Sequence, residues 1–193
     1  NHEGKNSLTQ VGREQGIRRL MSINLLKRLE SSVHSFRLTL KRIQDLICST
    51  LDTIAHYDPS LTLELNDLTS TVDFDADDQE MDLFTVGKKV KIALEDMDYV
   101  TWQHDLEEDF NTLYVLVNMV ADITPEHDSK LQMLLSTIAE KIDHPINPGN
   151  RKVIIFTAFS DTAEYLYDHV STFAHDKYGL HTPLITGSVS GRT

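Results

Sequence analysis

Apolar residues recur every three or four positions along the first third of the chain, where no proline or glycine occurs between residues 17 and 56. The recurring positions are Leu25, Leu29, Val33, Phe36, Leu40, Ile43, Ile47, Leu51 and Ile54. This spacing places one apolar stripe on one side of a helix. If the helix is unbroken, it spans roughly 40 residues and about 60 Å.

The opposite face of this predicted helix is basic over its first half. The basic residues are Arg18, Arg19, Lys27, Arg28, Arg37, Lys41 and Arg42. Two interpretations stay open: a solvated helix face, or a surface that contacts nucleic acid or an acidic neighbouring lobe.

Pro59 ends the first helix, because proline cannot continue it and restricts the residue before it. Residues 64–82 are rich in aspartate and poor in bulky apolar groups, which favours an acidic linker. Within it, residues 73–78 resemble a calcium loop superficially but lack the glycine and glutamate that such a loop requires. A short helix is expected over residues 84–97.

Two more helices are predicted before residue 144. The first runs from Thr101 to Ala121, with its apolar stripe at Trp102, Leu106, Phe110, Leu113, Val117 and Val120. The second opens at Thr124-Pro125-Glu126, as N-cap, first-turn proline and first-turn acid, and continues to Ile142. Its predicted buried positions are Leu131, Leu134, Leu135 and Ile138. Residues 144–150 hold two prolines and a glycine, which marks a boundary.

The pattern changes after this boundary. Val153–Phe156 is a continuous apolar run that is typical of a parallel strand covered on both faces. Ser160 is expected to cap a helix that ends at Gly179, and Thr182–Ile185 is expected to form a second strand. The predicted fold class is mainly α: a helical connector module over residues 1–143, followed by a truncated α/β segment, one parallel βαβ unit, over residues 144–193.

Composition narrows the class of protein. The 193 residues include 18 Lys and Arg against 30 Asp and Glu, and the net charge of −12 argues against a wholly basic nucleic-acid-coating protein. The single Cys48 cannot form an internal disulfide, which points to the cytoplasm. No apolar run is long enough for a membrane span. Because no methionine starts the chain, we expect it to belong to a longer protein.

The loop between the predicted strand and helix is the main candidate for chemistry. Thr157 and Ser160 offer hydroxyls beside a helix N-terminus, and together these groups could hold a phosphate. The alternative is a plain cap and turn. Elsewhere, His104 and Glu108 have a spacing that suits two metal ligands, but nothing completes the set, so no metal site is predicted.

Three stretches resemble the entry to the second RecA-like lobe of superfamily 2 helicases, most of all those of the Swi/Snf branch. They are residues 151–159, residues 162–166 and Leu184–Ser188, with residues 128–131 upstream. Residues 25–32 also resemble a segment between the two lobes of bacterial HepA-type helicases.

The resemblance implies an ATP-driven translocase or remodeller that acts on DNA, with RNA less favoured. In such motors the first lobe binds ATP and Mg²⁺ through a phosphate-binding loop, and the second lobe supplies an arginine. The chain contains no G-x-x-x-x-G-K-[ST], so these residues alone are expected to be inactive and to hold neither cofactor.

The resemblance also implies which residues touch nucleic acid. Thr157 and Ser160 match the first nucleic-acid-facing loop of the second lobe, and Thr186, Gly187 and Ser188 match the next. The implied role is sequence-independent contact with phosphate oxygens. Otherwise Gly187 merely permits a turn and the hydroxyls cap backbone groups. Further candidates from the basic helix face are Lys27, Arg28, Lys41 and Arg42.

Two other functions stay open. One is a helical scaffold that never meets nucleotide, and the other is the motor subunit of a nuclease or restriction system. Without a first lobe to cover it, the apolar face of the helical module is expected to allow self-association.

Overall fold

The computed structural model describes residues 10–56 and 98–187, and this part of the chain is mainly helical. It contains five helices, which are α1 (Gln10–Ser31), α2 (Val33–Ala55), α3 (Tyr99–Ala121), α4 (Ser129–Asp143) and α5 (Ser160–Tyr178). The predicted acidic linker, the short helix after it and Ser188 lie outside the described residues.

The long N-terminal helix that the apolar spacing predicts is in fact two helices. Ser32 interrupts it with an extended backbone (φ −158°, ψ 148°), and its Oγ accepts a hydrogen bond from the amide of Ser35. A serine hydroxyl that caps the next helix gives the backbone an alternative to helical hydrogen bonds, so the chain changes direction here. The α1–α2 junction, residues 28–35, is the result.

The helix α3 confirms the predicted element and packs against α2. Asp98 caps it, accepting a hydrogen bond from the amide of Thr101. None of its residues is buried, and Val115 and Met119 are 57% and 68% exposed. The six residues of the predicted apolar stripe are half-buried, and Val115 and Met119 lie outside that stripe.

The helix α4 begins later than the sequence predicts. Thr124 starts a turn, in which its carbonyl accepts from the amide of Asp128, and Asp128 is the N-cap. A carboxylate that accepts from two first-turn amides is a stronger cap than the predicted Thr124. Of the predicted buried positions, Leu131 and Ile138 are buried, and Leu134 and Leu135 pack against the core.

One hydrophobic core cluster lies between α4 and α5, and Leu40, Ile47 and Ile54 of α2 are buried as well. Ile138 and Ile142 of α4 pack against Val170 of α5. The helix α5 ends as predicted, because Gly179 adopts a left-handed conformation (φ 64°). The amide of Gly179 bonds to the carbonyl of His175, which is the αL motif, and the amide of Leu180 bonds to the carbonyl of Ala174, so that Leu180 packs back onto this core.

The predicted βαβ unit is not shown in the described residues, which contain no strand. Val153–Phe156 has no regular secondary structure, and Ile154 and Phe156 are 77% and 90% exposed. A strand needs a neighbouring strand to satisfy its backbone, and among the described residues none lies beside this run. Within residues 144–187, the structure shows the central helix of the predicted unit, as α5, and neither of its two strands.

Candidate functional site

The loop at residues 157–160 contacts the α1–α2 junction through hydroxyl groups. The Ser31 Oγ lies 3.3 Å from the Thr157 Oγ1 and 2.9 Å from the Thr162 Oγ1. The Ser32 Oγ lies 3.0 Å from the same Thr162 oxygen. These bonds hold the loop against the break between the two helices.

A buried ion-pair network lies beside these hydroxyls. The Arg28 Nη1 donates to the Asp161 Oδ2 at 3.0 Å and to the Ser35 Oγ at 3.1 Å. Arg42 donates to both carboxylate oxygens of Asp161, at 3.0 and 3.2 Å. Arg28 is 1% exposed and its guanidinium lies 4.6 Å from the centre of the Phe159 ring. We call Arg28, Arg42 and Asp161 the Asp161 clamp.

The clamp changes the interpretation of the basic face. Arg28 and Arg42 are engaged inside the protein, with a carboxylate from the segment that was expected to open the second lobe. Lys27 and Lys41 have exposed side chains. Of the four basic candidates, these two lysines are therefore the ones at the surface.

The N-terminus of α4 closes the other side of the site. The Asp128 carboxylate accepts from the amides of Lys130 and Leu131, each at 3.0 Å, and from the Tyr165 hydroxyl at 3.0 Å. The Lys130 ammonium donates to the carbonyls of Glu30 and Ser31, the last carbonyls of α1. A cation at a helix C-terminus satisfies these groups and complements the helix dipole.

Aromatic rings connect α2 to α5 behind the network. The His34 ring stacks on the Tyr165 ring with 4.7 Å between ring centres, and the His169 ring contacts the same Tyr165 ring edge-on at 4.8 Å. Burial, followed by the nearby Arg37 guanidinium, lowers the pKa of His34 below 6.5. Burial and the hydrogen bond to Asp128 raise the pKa of the Tyr165 phenol.

A cavity of about 690 Å³ opens between α1, α4, the loop and α5. Its polar lining includes Lys27, Lys130 and Thr157, and its apolar lining includes Leu134 and Phe156. The first turn of α5 contributes Thr162. The cavity therefore joins two lysines, the carboxylates of Glu30 and Asp128, the Thr157 hydroxyl of the loop and the start of a helix.

The charged side chains that line this cavity are balanced, with Lys27 and Lys130 against Glu30 and Asp128. The Asp161 clamp does not line the cavity; its two arginines and one aspartate carry a net positive charge on the α1–α2 side of the loop. The N-terminus of α5 adds the positive end of a helix dipole. The clamp and the helix dipole favour an anion at the loop side of the cavity.

The structure brings only part of the predicted site together. Thr157 lines the cavity, whereas Thr186 and Gly187 do not. Ser160 is the first residue of α5 rather than its cap; Phe159 occupies the cap position and makes no side-chain cap bond. Sequence reasoning missed Asp161, Asp128 and Ser31. An aspartate directly before an apolar helical pattern is a cap signal that could have found Asp128.

No group of three or more His, Cys, Asp or Glu residues suited to a metal ion occurs in the described ranges. His104 and Glu108 form an exposed pair at 3.6 Å. None of the five helices is both long and apolar enough to cross a membrane.

No protein-family model, curated protein or solved structure matches the chain.

Proposed function

We propose that the chain belongs to an ATP-dependent helicase or translocase of the Swi/Snf-like branch of superfamily 2, and acts on DNA in the cytoplasm. In this proposal the described residues grip the phosphate backbone and couple the helical module to the second lobe. ATP and Mg²⁺ are bound by the complete motor. The cavity at the N-terminus of α5 carries the proposal.

The composition of this cavity supports phosphate binding. Thr157 stands at its wall, the first turn of α5 opens onto it, and Lys27 and Lys130 flank it. Amides at a helix N-terminus, hydroxyls and lysines all bind phosphate oxygens without reading bases. The net positive charge of the Asp161 clamp behind the loop adds to the attraction.

The exposed apolar run supports the finer fold proposal. We propose that Val153–Phe156 is the first strand of a RecA-like parallel sheet. Its four residues are apolar and rich in branched side chains, and they directly precede the loop and α5. A strand buried on both faces has this composition, and its apolar side chains stay exposed when neighbouring strands are lacking.

A second candidate, a helical interaction protein, is favoured by a different surface. Val115 and Met119 on α3 are more than half exposed and lie one helical turn apart. Exposed apolar side chains of this kind often mark protein contacts. This candidate requires neither DNA nor nucleotide.

DNA binding measured at several salt concentrations tests the motor proposal. Fluorescence anisotropy with a labelled duplex is expected to show weak binding that does not depend on sequence and falls as salt rises. Lys27→Ala with Lys41→Ala removes the exposed charges while leaving the clamp intact. If both lysines contact phosphates, the salt slope falls by about one unit per contact.

The matched control is Lys141→Ala with Lys177→Ala, which removes the same charge at positions outside the basic face of α1 and α2. It is expected to leave the salt slope unchanged. Absence of salt-dependent binding by the unmodified chain would contradict the proposal. Sedimentation that shows self-association without DNA binding would instead favour the helical interaction protein.

A further inference from the structure

Asp161 is the meeting point of three helices. It lies in the first turn of α5 and is 8% exposed, and its carboxylate accepts from Arg28 of α1 and Arg42 of α2. Both carboxylate oxygens are used, because Arg42 bonds to each of them. A bidentate arginine fixes orientation as well as distance. The first turn of α5 therefore has one defined position relative to α1 and α2.

The Arg28 guanidinium is held by two further contacts. Ser35 and the Phe159 ring fix the Arg28 guanidinium, and the side chain is 1% exposed. A buried charge that loses its partner is strongly unfavourable, so the ion pair between Arg28 and Asp161 stabilises the position of the loop against the α1–α2 junction.

Hydrogen bonds between hydroxyl groups also attach the loop to the α1–α2 junction. Thr157 at the start of the loop and Thr162 just after it both contact Ser31. The side chain of Phe159, between them, lies against Arg28. The loop is thus bound at its start, middle and end by residues of the α1–α2 junction.

We propose that Asp161 is a positioning residue, which locks the loop at residues 157–160 to the α1–α2 junction so that helical module and loop move together. Its consequence for DNA binding rests on the proposed function; the mechanical lock does not. In a motor, this connection passes movement of the helical module directly to the phosphate grip.

Hydrogen exchange of the intact chain tests the lock. Asp161→Asn keeps the size of the side chain and removes its charge, and Asp168→Asn is the matched control at an exposed position of the same helix. Loss of charge-assisted bonds predicts exchange of the residue 157–162 amides that is faster by about tenfold or more. The α4 amides and the Asp168→Asn variant are expected to keep the slow rates.

Two further variants keep the test decisive if Asp161→Asn does not fold. Arg42→Ala leaves the pair between Arg28 and Asp161 in place and is expected to accelerate exchange in the same segment. Arg42→Lys retains a charge opposite Asp161 and is expected to restore part of the slow exchange. Unchanged exchange at residues 157–162, or an equal increase throughout α3 and α4, would overturn the lock.

The affinity of the variants for duplex DNA distinguishes a failure of the lock from a failure of the proposed function. Both asparagine variants remove one negative charge, so electrostatics alone predicts tighter binding to DNA in each. The lock predicts weaker binding for Asp161→Asn only. If Asp161→Asn binds as tightly as the unmodified chain while its loop exchanges faster, the positioning role is wrong. If the unmodified chain binds no DNA, the proposed function fails and hydrogen exchange alone decides the lock.

Discussion

The α1–α2 junction and the run at residues 153–156 lie beside Thr157, and they differ in which side chains they bury. The α1–α2 junction contains buried polar side chains, with Arg28 and Ser35 at 1% and 0% exposure. The run at residues 153–156 is apolar but exposed, reaching 90% at Phe156. Buried polar side chains and contiguous exposed apolar residues are the departures from the usual arrangement that need a physical reason.

Partners explain the difference between these regions. The junction brings together oppositely charged and hydrogen-bonding groups from three helices, which compensates for the loss of water. The apolar run at residues 153–156 has no regular secondary structure, and among the described residues no element covers the side chains of Ile154 and Phe156, which are 77% and 90% exposed. The comparison indicates that the junction is a finished part of the structure, whereas the run marks a surface for another element.

Removing a buried contact of the α1–α2 junction is expected to change the free energy of unfolding most. Arg28→Ala removes a long side chain that is 1% exposed, together with its bonds to Asp161 and Ser35, and leaves a cavity, while Asp161 keeps Arg42. Since the cavity and the lost ion pair act together, we expect the free energy of unfolding to fall by about 3–5 kcal/mol, measured by urea denaturation. Arg18→Ala, at an exposed position of the same helix, is expected to change little. Equal effects of the two variants would contradict the contrast between buried and surface arginines.

Two truncations of apolar side chains test whether the run at residues 153–156 is exposed, one at a buried position and one within the run. Ile138→Ala removes a side chain that is 4% exposed and is expected to cost about 3 kcal/mol. Phe156→Ala removes a larger side chain that is 90% exposed, and is expected to change stability by less than about 0.5 kcal/mol. A loss above about 1 kcal/mol for Phe156→Ala would show that the run is packed in solution.

Tyr165→Phe tests the polar contact on the α4 side of the junction. It removes the hydroxyl that donates to Asp128 at 3.0 Å, while the stacked ring is retained. The two backbone amides still bind the carboxylate, so the expected loss is about 1–2 kcal/mol. Tyr114→Phe, at an exposed position of α3, is the matched control. Thermal unfolding of the two variants is the measurement.

The smallest expected effect is the contribution of His34 to the pH dependence of the free energy of unfolding. Its pKa in the folded protein lies below 6.5, because of burial and Arg37. The unfolded chain therefore takes up a proton first as the pH falls, and the contribution of His34 to stability is lost below about pH 6.5. His34→Gln is expected to reduce this loss and His104→Gln, at an exposed position, to leave it unchanged. Denaturation at about pH 7 and pH 5 measures it.

The sequence predicted those elements whose signal is local. The span of α3, the end of α5 at Gly179 and the buried face of α4 follow from apolar spacing and helix-stop residues. It misplaced the start of α4 and missed the break at Ser32, because each depends on which of several hydroxyls or carboxylates captures the amides. Spacing alone does not decide that competition.

The candidate site was harder to predict than the helices. Thr157 was found from its position after an apolar run, but its partner Ser31 is 126 residues away. Arg28 and Arg42 were identified as basic, and the structure places both against Asp161. A single sequence shows which residues carry charge, without showing which distant charge they meet.

By itself, the sequence determined that the chain is mainly helical and that a hydroxyl-bearing loop precedes α5. Both follow from periodicity and from residue types that act over a few positions. Only the tertiary structure decided that this loop is bound to the α1–α2 junction, and that two arginines of the basic face pair with Asp161, of which Arg28 is buried and Arg42 is 25% exposed. These outcomes depend on long-range pairing, where the cost of burying a charge is offset by a carboxylate from a distant helix.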